Sequence, residues 1–149
     1  MEHNYEDEIL KLSNQICFPL YASGKEIVRK YQPYLEKFDL TYTQYIVLLV
    51  LWENDDISVK EIGSKLYLDS GTLTPLINKL IKKGYIRKSR SKIDERELII
   101  SLTKEGKELK EKIKVVPPEI AKKVKLTSEE AKTLYDLLYK VLGGLSNNE

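Results

Sequence analysis

Residues 58–102 read SVKEIGSKLYLDSGTLTPLINKLIKKGYIRKSRSKIDERELIISL, and their hydrophobic spacing is that of two helices followed by two strands. The opening Ser58-Val59-Lys60-Glu61 has the form of a capping box, which predicts a helix start. Tyr67-Leu68-Asp69 predicts a short turn, and a second helix is expected over residues 70–83, where Pro75 predicts a local distortion. Two short helices joined by such a turn are typical of a helix-turn-helix.

Strand-like alternation replaces the helical spacing after Gly84, which is well placed to end the second helix. We expect strands at residues 86–90 and 97–102, with the charged loop 91–96 between them. A hairpin directly after the second helix is a wing. The sequence therefore predicts a winged helix-turn-helix over residues 58–102.

Helices are also expected on the N-terminal side of this region. Thr41-Tyr42-Thr43-Gln44 is a second capping box, and the following segment 45–52 is apolar on all sides, which places it in the core. Before it, the apolar spacing predicts a helix over about residues 9–31. Pro19 interrupts this helix, which either kinks or restarts near that residue, and Pro33 is expected to stop what precedes it.

The C-terminal side reads as two further helices. Thr103 is expected to start a helix rich in Lys and Glu that runs to about Val116 and is broken by Pro117-Pro118. Thr127-Ser128-Glu129-Glu130 is a third capping box and opens a last helix, which carries an apolar stripe over residues 134–145.

The terminal helices carry more apolar surface than a small winged domain can cover. We therefore expect residues 5–38 and 117–146 to form dimerisation helices of a homodimer, the alternative being packing within one monomer only. The expected fold is a single domain over residues 1–149, mainly α with a small β-hairpin wing.

Positive charge is concentrated in the middle of the chain. Residues 58–92 contain nine Lys or Arg against two acidic residues, a balance of +7, so the net charge of +2 leaves −5 for the rest. Such an asymmetry is the electrostatic footprint of a protein that binds a polyanion. On charge alone, a solvated lysine-rich surface is an equal alternative.

The composition argues against several other classes of protein. The longest apolar run, residues 45–52, is far shorter than a membrane span, and the acidic segment Met1–Glu8 is followed by no signal core. We expect a cytoplasmic protein without a membrane partner. One cysteine cannot form an internal disulfide, and the single histidine, His3, cannot build a histidine-based zinc site, so no metal or cofactor is expected.

Four motifs carry a resemblance to a known family. They are Asn14-Gln15-Ile16-Cys17-Phe18, Leu40–Tyr45, Leu68–Leu76, and Asp94-Glu95-Arg96 leading into Ile100–Thr103. These motifs resemble the multiple-antibiotic-resistance regulator (MarR) family, in its organic-hydroperoxide-resistance branch or the related thiol-based global regulators of Gram-positive bacteria. The resemblance covers nearly the whole chain. It implies a MarR-type dimer that acts as a transcriptional repressor on a pseudo-palindromic operator of double-stranded DNA.

The DNA-contacting residues are expected on the second helix and in the wing. The polar face of the helix offers hydroxyl, amide and ammonium groups for base edges and phosphates: Ser70, Thr72, Thr74, Asn78 and Lys79. The resemblance implies that the wing, with Arg90 and Lys92, reaches a minor groove and inserts Arg96, which Asp94 would orient. Asp69 is expected to cap the helix. The alternative is that the wing is a flexible, soluble hairpin without a role in DNA binding.

Cys17 is expected to be the redox-sensing residue. A lone cysteine is usually a small buried apolar residue, but the resemblance implies partner tyrosines four and fourteen residues further on, which are Tyr21 and Tyr31. Their hydroxyls can donate to a thiolate. Fourteen residues of helix span about 21 Å, so Tyr31 must reach Cys17 from the other subunit, or the helix must fold back. A helix restart at Pro19 would place Cys17 near a helix N-terminus, whereas a kink would put the Tyr21 contact in doubt.

The expected function is release from the operator when an organic hydroperoxide oxidises Cys17 and a small cellular thiol traps the product. Two alternatives are open. A regulator of the same fold would respond to a noncovalent aromatic ligand in the dimer crevice, with Cys17 incidental. A thiol peroxidase would share the first chemical step, but such enzymes use an α/β scaffold rather than a mostly helical chain, so we expect no enzyme activity.

Overall fold

Helices dominate the computed structural model, which describes residues 5–146 and divides between Val116 and Pro117 into two units. The first unit contains these elements in chain order: α1 (Tyr5–Ile9), α2 (Cys17–Leu35), α3 (Tyr42–Glu53), β1 (Ile57–Ser58), α4 (Val59–Leu66), α5 (Ser70–Lys82), β2 (Ile86–Arg90), β3 (Leu98–Leu102) and α6 (Lys104–Ile113). Short 3₁₀ turns lie at Leu12–Asn14 and Glu36–Phe38. The remaining helices are α7 (Val116–Val124), which starts at the last residue of the first unit, and α8 (Ser128–Ser146).

The centre of the first unit is helix α3, as its uniformly apolar sequence predicts. The expected capping box is present, because the Thr41 hydroxyl accepts from the Gln44 amide at 3.3 Å and the Gln44 side chain accepts from the Thr41 amide at 3.2 Å. Val47, Leu48 and Leu51 are buried, and α3 packs against α2, α4, α5, α6 and β3. The helix is therefore the element around which the others are arranged.

Helices α4 and α5 form the helix-turn-helix, with Tyr67-Leu68-Asp69 as the turn. The capping box at Ser58 and Glu61 is present, with Ser58 Oγ accepting from the Glu61 amide at 3.1 Å. Tyr67 adopts a left-handed conformation (φ 55°), which ends α4 and turns the chain toward α5. The expected winged helix-turn-helix fold is confirmed.

The sheet is antiparallel, with the strand order β1-β3-β2. Strand β2 has the expected bounds, and β3 starts one residue later than expected. The hairpin pairs Ile86 with Leu102 and Arg90 with Leu98. Strand β1 was not expected, because two residues are too few to show an alternating pattern.

The helix expected over about residues 9–31, kinked or restarted near Pro19, is absent in its first part. Helix α1 ends at Ile9, and α2 starts only at Cys17. Between them, the Asn14 side-chain amide donates to the Glu8 carbonyl at 2.7 Å and the Gln15 amide donates to the Ile9 carbonyl. Such side-chain bonds to backbone compete with helix formation. The helix thus restarts rather than kinks, and Pro19 lies in its first turn, where no backbone N–H is needed.

The expected stop at Pro33 is also wrong, because Pro33 lies inside α2. Proline removes one backbone hydrogen bond, here to the Arg29 carbonyl. Two residues later Leu35 is buried, and its carbonyl accepts from the Leu40 amide at 3.1 Å. We attribute the continued helix to this packing, which compensates for one missing hydrogen bond.

The second unit is formed by residues 117–149, of which 117–146 are described. The expected helix from Thr103 ends at Ile113 instead of Val116, and Pro117-Pro118 lie in the first turn of α7 rather than in a break. Proline is tolerated there because the first N–H groups of a helix have no internal partner. The third capping box is confirmed, with the Glu130 amide donating to Thr127 Oγ1 at 3.2 Å and the Thr127 amide donating to Glu130 at 2.8 Å. Within residues 5–146, no helix is long and apolar enough to cross a membrane.

Candidate functional site

Helix α5 is capped at both ends by its own sequence. The Asp69 carboxylate accepts from the Thr72 amide at 2.7 Å, which confirms the expected cap, and this hydrogen bond lowers the pKa of Asp69. At the other end Gly84 has φ 81°, and the Tyr85 amide donates to the Leu80 carbonyl at 3.1 Å. A glycine in the left-handed region with this hydrogen bond is a Schellman stop. Both helix ends are therefore determined locally.

The two faces of α5 differ in exposure. Leu73, Ile77 and Leu80 are buried against the rest of the first unit. The residues that the sequence predicts to contact DNA are all exposed, with Ser70 at the helix start and the others away from the centre of the buried stripe: Ser70, Thr72, Thr74, Asn78 and Lys79. Pro75 lies within the helix on this side, as an exposed residue. The helix thus presents a continuous polar face without an acidic residue.

The wing presents a cation held by a neighbouring carboxylate. Asp94 Oδ1 accepts from the Arg96 backbone amide at 3.0 Å and from Arg96 Nε at 3.2 Å, as the sequence analysis expects. The Arg96 side chain is 91% exposed, so its guanidinium still has donors to offer. Arg90 donates to the Glu95 carbonyl at 2.7 Å and so closes the loop, while Lys92 is exposed and extends from it.

Helix α5 and the wing border the same cleft. Its volume is about 410 Å³, and its lining includes Ser70 at the start of α5 and Arg96 of the wing, together with residues of α4. The start of α5 and Arg96 of the wing therefore lie on the same side of the winged helix. Ser70 and Arg96, which are 26 positions apart in the sequence, thus line one cleft.

Two aspartates outside the predicted site residues hold the wing strand β3. The Asp55 carboxylate accepts from the Leu102 amide at 2.8 Å, and Asp56 accepts from the Ser101 hydroxyl. Asp56 has a left-handed backbone (φ 57°) that turns the chain into β1. The acidic pair before β1 is visible in the sequence, but its partners lie some 45 residues further on, so no local spacing indicates the contact.

Cys17 is exposed and is the first residue of α2. Tyr21 lies one turn later on the same helix, is exposed, and has its ring 5.6 Å from the Lys25 ammonium. Among residues 5–146, no hydrogen bond joins Cys17 to Tyr21 or Tyr31. Cys17 and Tyr31 belong to one helix, whose rise over fourteen residues separates them by about 21 Å. A single subunit does not bring these residues together.

Tyr31 instead belongs to an aromatic cluster between α2 and α3. Its ring centroid lies 5.0 Å from that of Tyr42 and 5.7 Å from that of Tyr45. Burial raises the pKa of the Tyr31 hydroxyl, and the neighbouring Tyr42 raises it further. The shift keeps the Tyr31 hydroxyl protonated, and so able to donate a hydrogen bond, to a higher pH than that of an ordinary tyrosine.

Comparisons with known proteins identify the family. The family model for the transcriptional regulator SarA/Rot matches residues 29–113. The organic hydroperoxide resistance transcriptional regulator of Bacillus subtilis is 45% identical over 142 residues, which cover 95% of each chain.

Two solved structures of AbfR, a protein of Staphylococcus epidermidis, have a similar fold. Reduced AbfR bound to DNA is 34% identical with a TM-score of 0.78, and the match covers 95% of this chain and 99% of the other. Over-oxidised AbfR bound to DNA is also 34% identical, with a TM-score of 0.76 and coverage of 94% and 98%. The chain therefore belongs to the SarA/Rot family of transcriptional regulators, and its fold is the MarR-type winged helix-turn-helix.

Proposed function

We propose that the protein is a homodimeric repressor that leaves its operator when an organic hydroperoxide oxidises Cys17. The observation that carries this proposal is the position of Cys17, the single cysteine of the sequence, at the start of α2 in a chain 45% identical to an organic hydroperoxide resistance regulator. The thiolate of such a cysteine is the nucleophile that attacks a peroxide.

The DNA interface would consist of the polar face of α5 in the major groove and the wing in the adjacent minor groove. Residues 58–92 carry the +7 balance of the chain, which supplies affinity for the phosphates. Ser70, Thr72, Thr74 and Asn78 are suited to base edges or phosphates, and Lys79 to a phosphate. The exposed guanidinium of Arg96 suits a narrow A·T-rich minor groove.

The dimer would be formed by the terminal helices. Ile16, Phe18 and Leu20 are exposed at the start of α2, and Leu137 and Val141 are exposed on α8. Apolar side chains exposed on each of these two helices are expected at surfaces that another copy covers. A two-fold dimer would place its recognition helices on half-sites about 10 bp apart.

The chemistry begins with attack of the Cys17 thiolate on the peroxide. A sulfur–oxygen bond forms, the oxygen–oxygen bond breaks, and the alcohol leaves with a proton, so that sulfur loses two electrons and the peroxide gains them. A small cellular thiol then attacks the sulfenic acid, forming a mixed disulfide and releasing water. No second cysteine exists in the chain to form an internal disulfide.

We infer that the mixed disulfide, rather than an over-oxidised acid, is the releasing form. Over-oxidised AbfR is found bound to DNA, which supports the view that an acid at the sensing sulfur is compatible with binding. A small-thiol adduct is far larger than a few oxygen atoms, and a packed interface accommodates extra volume poorly. Release would follow from displacement of the α2 helices in the dimer.

The test is an operator-binding titration of wild type and Cys17→Ser, with and without an organic hydroperoxide plus a small thiol. Wild type should lose affinity by about tenfold or more, and a reductant should restore it. The Cys17→Ser variant should stay bound throughout. Equal loss of binding by the variant would show that the signal enters elsewhere.

Tyr31→Phe provides a graded version of this test. The hydroxyl of Tyr31 would reach Cys17 of the partner subunit and donate to the thiolate. Its removal should leave reduced operator binding unchanged and slow the rate of oxidation, measured from the loss of free thiol. Tyr34→Phe, which changes another tyrosine of α2, is the matched control and should oxidise at the wild-type rate.

A second candidate function is regulation by a noncovalent ligand. A cleft of about 460 Å³ along α2 is lined by Lys25, Arg29, Val28 and Tyr42, a combination of cations, an apolar side chain and an aromatic ring that suits a small aromatic acid. The Cys17→Ser variant separates the two candidates. It should still respond to such a ligand but not to a hydroperoxide.

A further inference from the structure

The end of the recognition helix α5 is attached to the corner between α2 and α3. Lys83, which follows α5 directly, donates from Nζ to the Asp39 carbonyl and, at 3.1 Å, to the side-chain oxygen of Gln44. Its Nζ also lies 3.4 Å from the Asp39 carboxylate. Two residues later, the Tyr85 hydroxyl donates to the Phe38 carbonyl at 3.3 Å. We call these contacts of Lys83 and Tyr85 the corner tether.

The corner tether is partly shielded from water, although the Asp39 side chain is 87% exposed. The Lys83 side chain is 23% exposed, although lysine is among the residues that are most often solvated. Gln44, its acceptor, is 2% exposed and accepts from the Thr41 amide with the same oxygen. A hydrogen bond from a charged donor to such a buried oxygen is strong, and without Lys83 the Gln44 oxygen keeps only the Thr41 amide as its donor.

The corner continues α2 directly through the 3₁₀ turn Glu36–Phe38. Asp39 adopts the left-handed region (φ 54°), and the Leu40 amide donates to the Leu35 carbonyl at 3.1 Å, which closes the end of the helix. A displacement of the end of α2 would therefore shift the carbonyls of Phe38 and Asp39, to which Tyr85 and Lys83 donate.

We propose that Lys83 and Tyr85 are positioning residues that couple the state of Cys17 to the orientation of the recognition helix. Cys17 is the first residue of α2, and the corner tether binds the chain just after its last residue, Leu35. Packed helices and buried hydrogen bonds transmit a displacement when both ends are held. This inference rests on the proposed redox function, because it concerns how that signal reaches DNA.

The corner tether is not needed to hold α5 in the reduced protein. The helix is capped at both ends and buries Leu73, Ile77 and Leu80. Lys83 belongs to the positively charged segment 58–92, so Lys83→Met also removes a charge from that segment. Tyr85→Phe keeps the charge and should spare reduced operator binding, and both changes should alter the response to oxidation beyond the effect of Lys82→Met.

The experiment compares the operator Kd of reduced and oxidised protein for wild type, Lys83→Met and Tyr85→Phe. Lys82→Met is the matched control, because it removes the same charge from the neighbouring exposed residue without touching the corner. Oxidation uses an organic hydroperoxide plus a small thiol, and mass spectrometry verifies that every variant carries the same adduct. The measured quantity is the fold-loss of affinity on oxidation.

If wild type loses about a hundredfold in affinity, Lys83→Met should lose about tenfold or less, with Tyr85→Phe between them and Lys82→Met like wild type. Lys83→Arg, which keeps the donor, should recover most of the wild-type loss. A fold-loss equal to wild type in both Lys83→Met and Tyr85→Phe would overturn the coupling role. If Lys83→Met does not fold, the fold-loss of Tyr85→Phe, which removes only one hydroxyl, tests the coupling role by itself. Failure of wild type to release DNA would instead refute the proposed redox function, on which the coupling depends.

Discussion

The indole Nε1 of Trp52 donates a 2.9 Å hydrogen bond to the carbonyl of Gly106, and this bond joins the central helix α3 to the first turn of α6. Gly106 is a glycine for steric reasons. A Cβ atom at this position would lie 2.1 Å from the Tyr85 carbonyl oxygen, which itself accepts from the Thr103 amide at 3.0 Å. The close approach of α6 to the chain after α5 therefore requires the absence of a side chain.

Gly106→Ala should lower the free energy of unfolding by about 1–3 kcal/mol, because two backbone segments must separate to admit the methyl group. Urea unfolding of the reduced protein, followed by circular dichroism, measures the change. Gly24→Ala is the control, since nothing lies within 4 Å of its Cβ position and alanine favours a helix. Wild-type stability of Gly106→Ala would contradict the steric argument.

Arg96→Ala should weaken operator binding by about tenfold and flatten the preference for A·T-rich flanks. Asp94→Asn should have a smaller effect in the same direction, because its amide holds the guanidinium less firmly than the carboxylate does. Fluorescence anisotropy with operators that differ only in their flanks measures both quantities. Lys114→Ala, outside the charged region, should change neither. Wild-type discrimination by Arg96→Ala would show that the wing does not read the groove.

Lys79→Ala should weaken binding to all sequences alike and reduce the slope of log K against log salt by about one, because one phosphate contact is lost. Titrations at several salt concentrations give this slope. An unchanged slope would mean that Lys79 does not contact a phosphate.

Leu137→Glu should convert the dimer to a monomer at micromolar concentration. The side chain is exposed in the subunit, and a carboxylate in an apolar interface has no partner. Sedimentation equilibrium gives the mass directly. Lys132→Glu, on the opposite face of α8, should remain dimeric. A monomeric mass for wild type would refute the dimer itself.

Tyr45 should make the protein sensitive to alkali. Burial raises its pKa from 10.0 to about 12, and Tyr31 and Tyr42 add to the effect. The folded state then holds the proton more tightly than the unfolded state. The free energy of unfolding is therefore undiminished by this group below pH 10 and falls as the pH rises toward 12. The slope approaches about 1.4 kcal/mol per pH unit for one group. Denaturant midpoints between pH 8 and 11.5 should fall less steeply for Tyr45→Phe, whereas the exposed Tyr67→Phe should behave as wild type.

The sequence by itself determined the starts of α3, α4 and α5 and the order of the two helices and the hairpin, whereas the two-residue strand β1 left no pattern to find. Thr41 with Gln44, Ser58 with Glu61, and Asp69 with Thr72 are three residues apart, so each cap is complete within one helical turn. The polar face of α5 and the hairpin register follow from periods of about four and of two residues. Caps and periodic patterns can be read from the sequence because the residues that form them lie within one or two helical turns of each other.

The tertiary structure decided the features whose partners are distant in the chain. Pro33 stays helical because Leu35 is buried, and Lys83 is held by Asp39 and Gln44, 44 and 39 residues away. The distance between Cys17 and Tyr31 followed from the helix rise, but only the structure showed that Tyr31 packs on Tyr42 and Tyr45. Burial and long-range hydrogen bonds depend on which segments pack together. A contact between distant segments produces no regular spacing of residues, so the sequence pattern does not predict it.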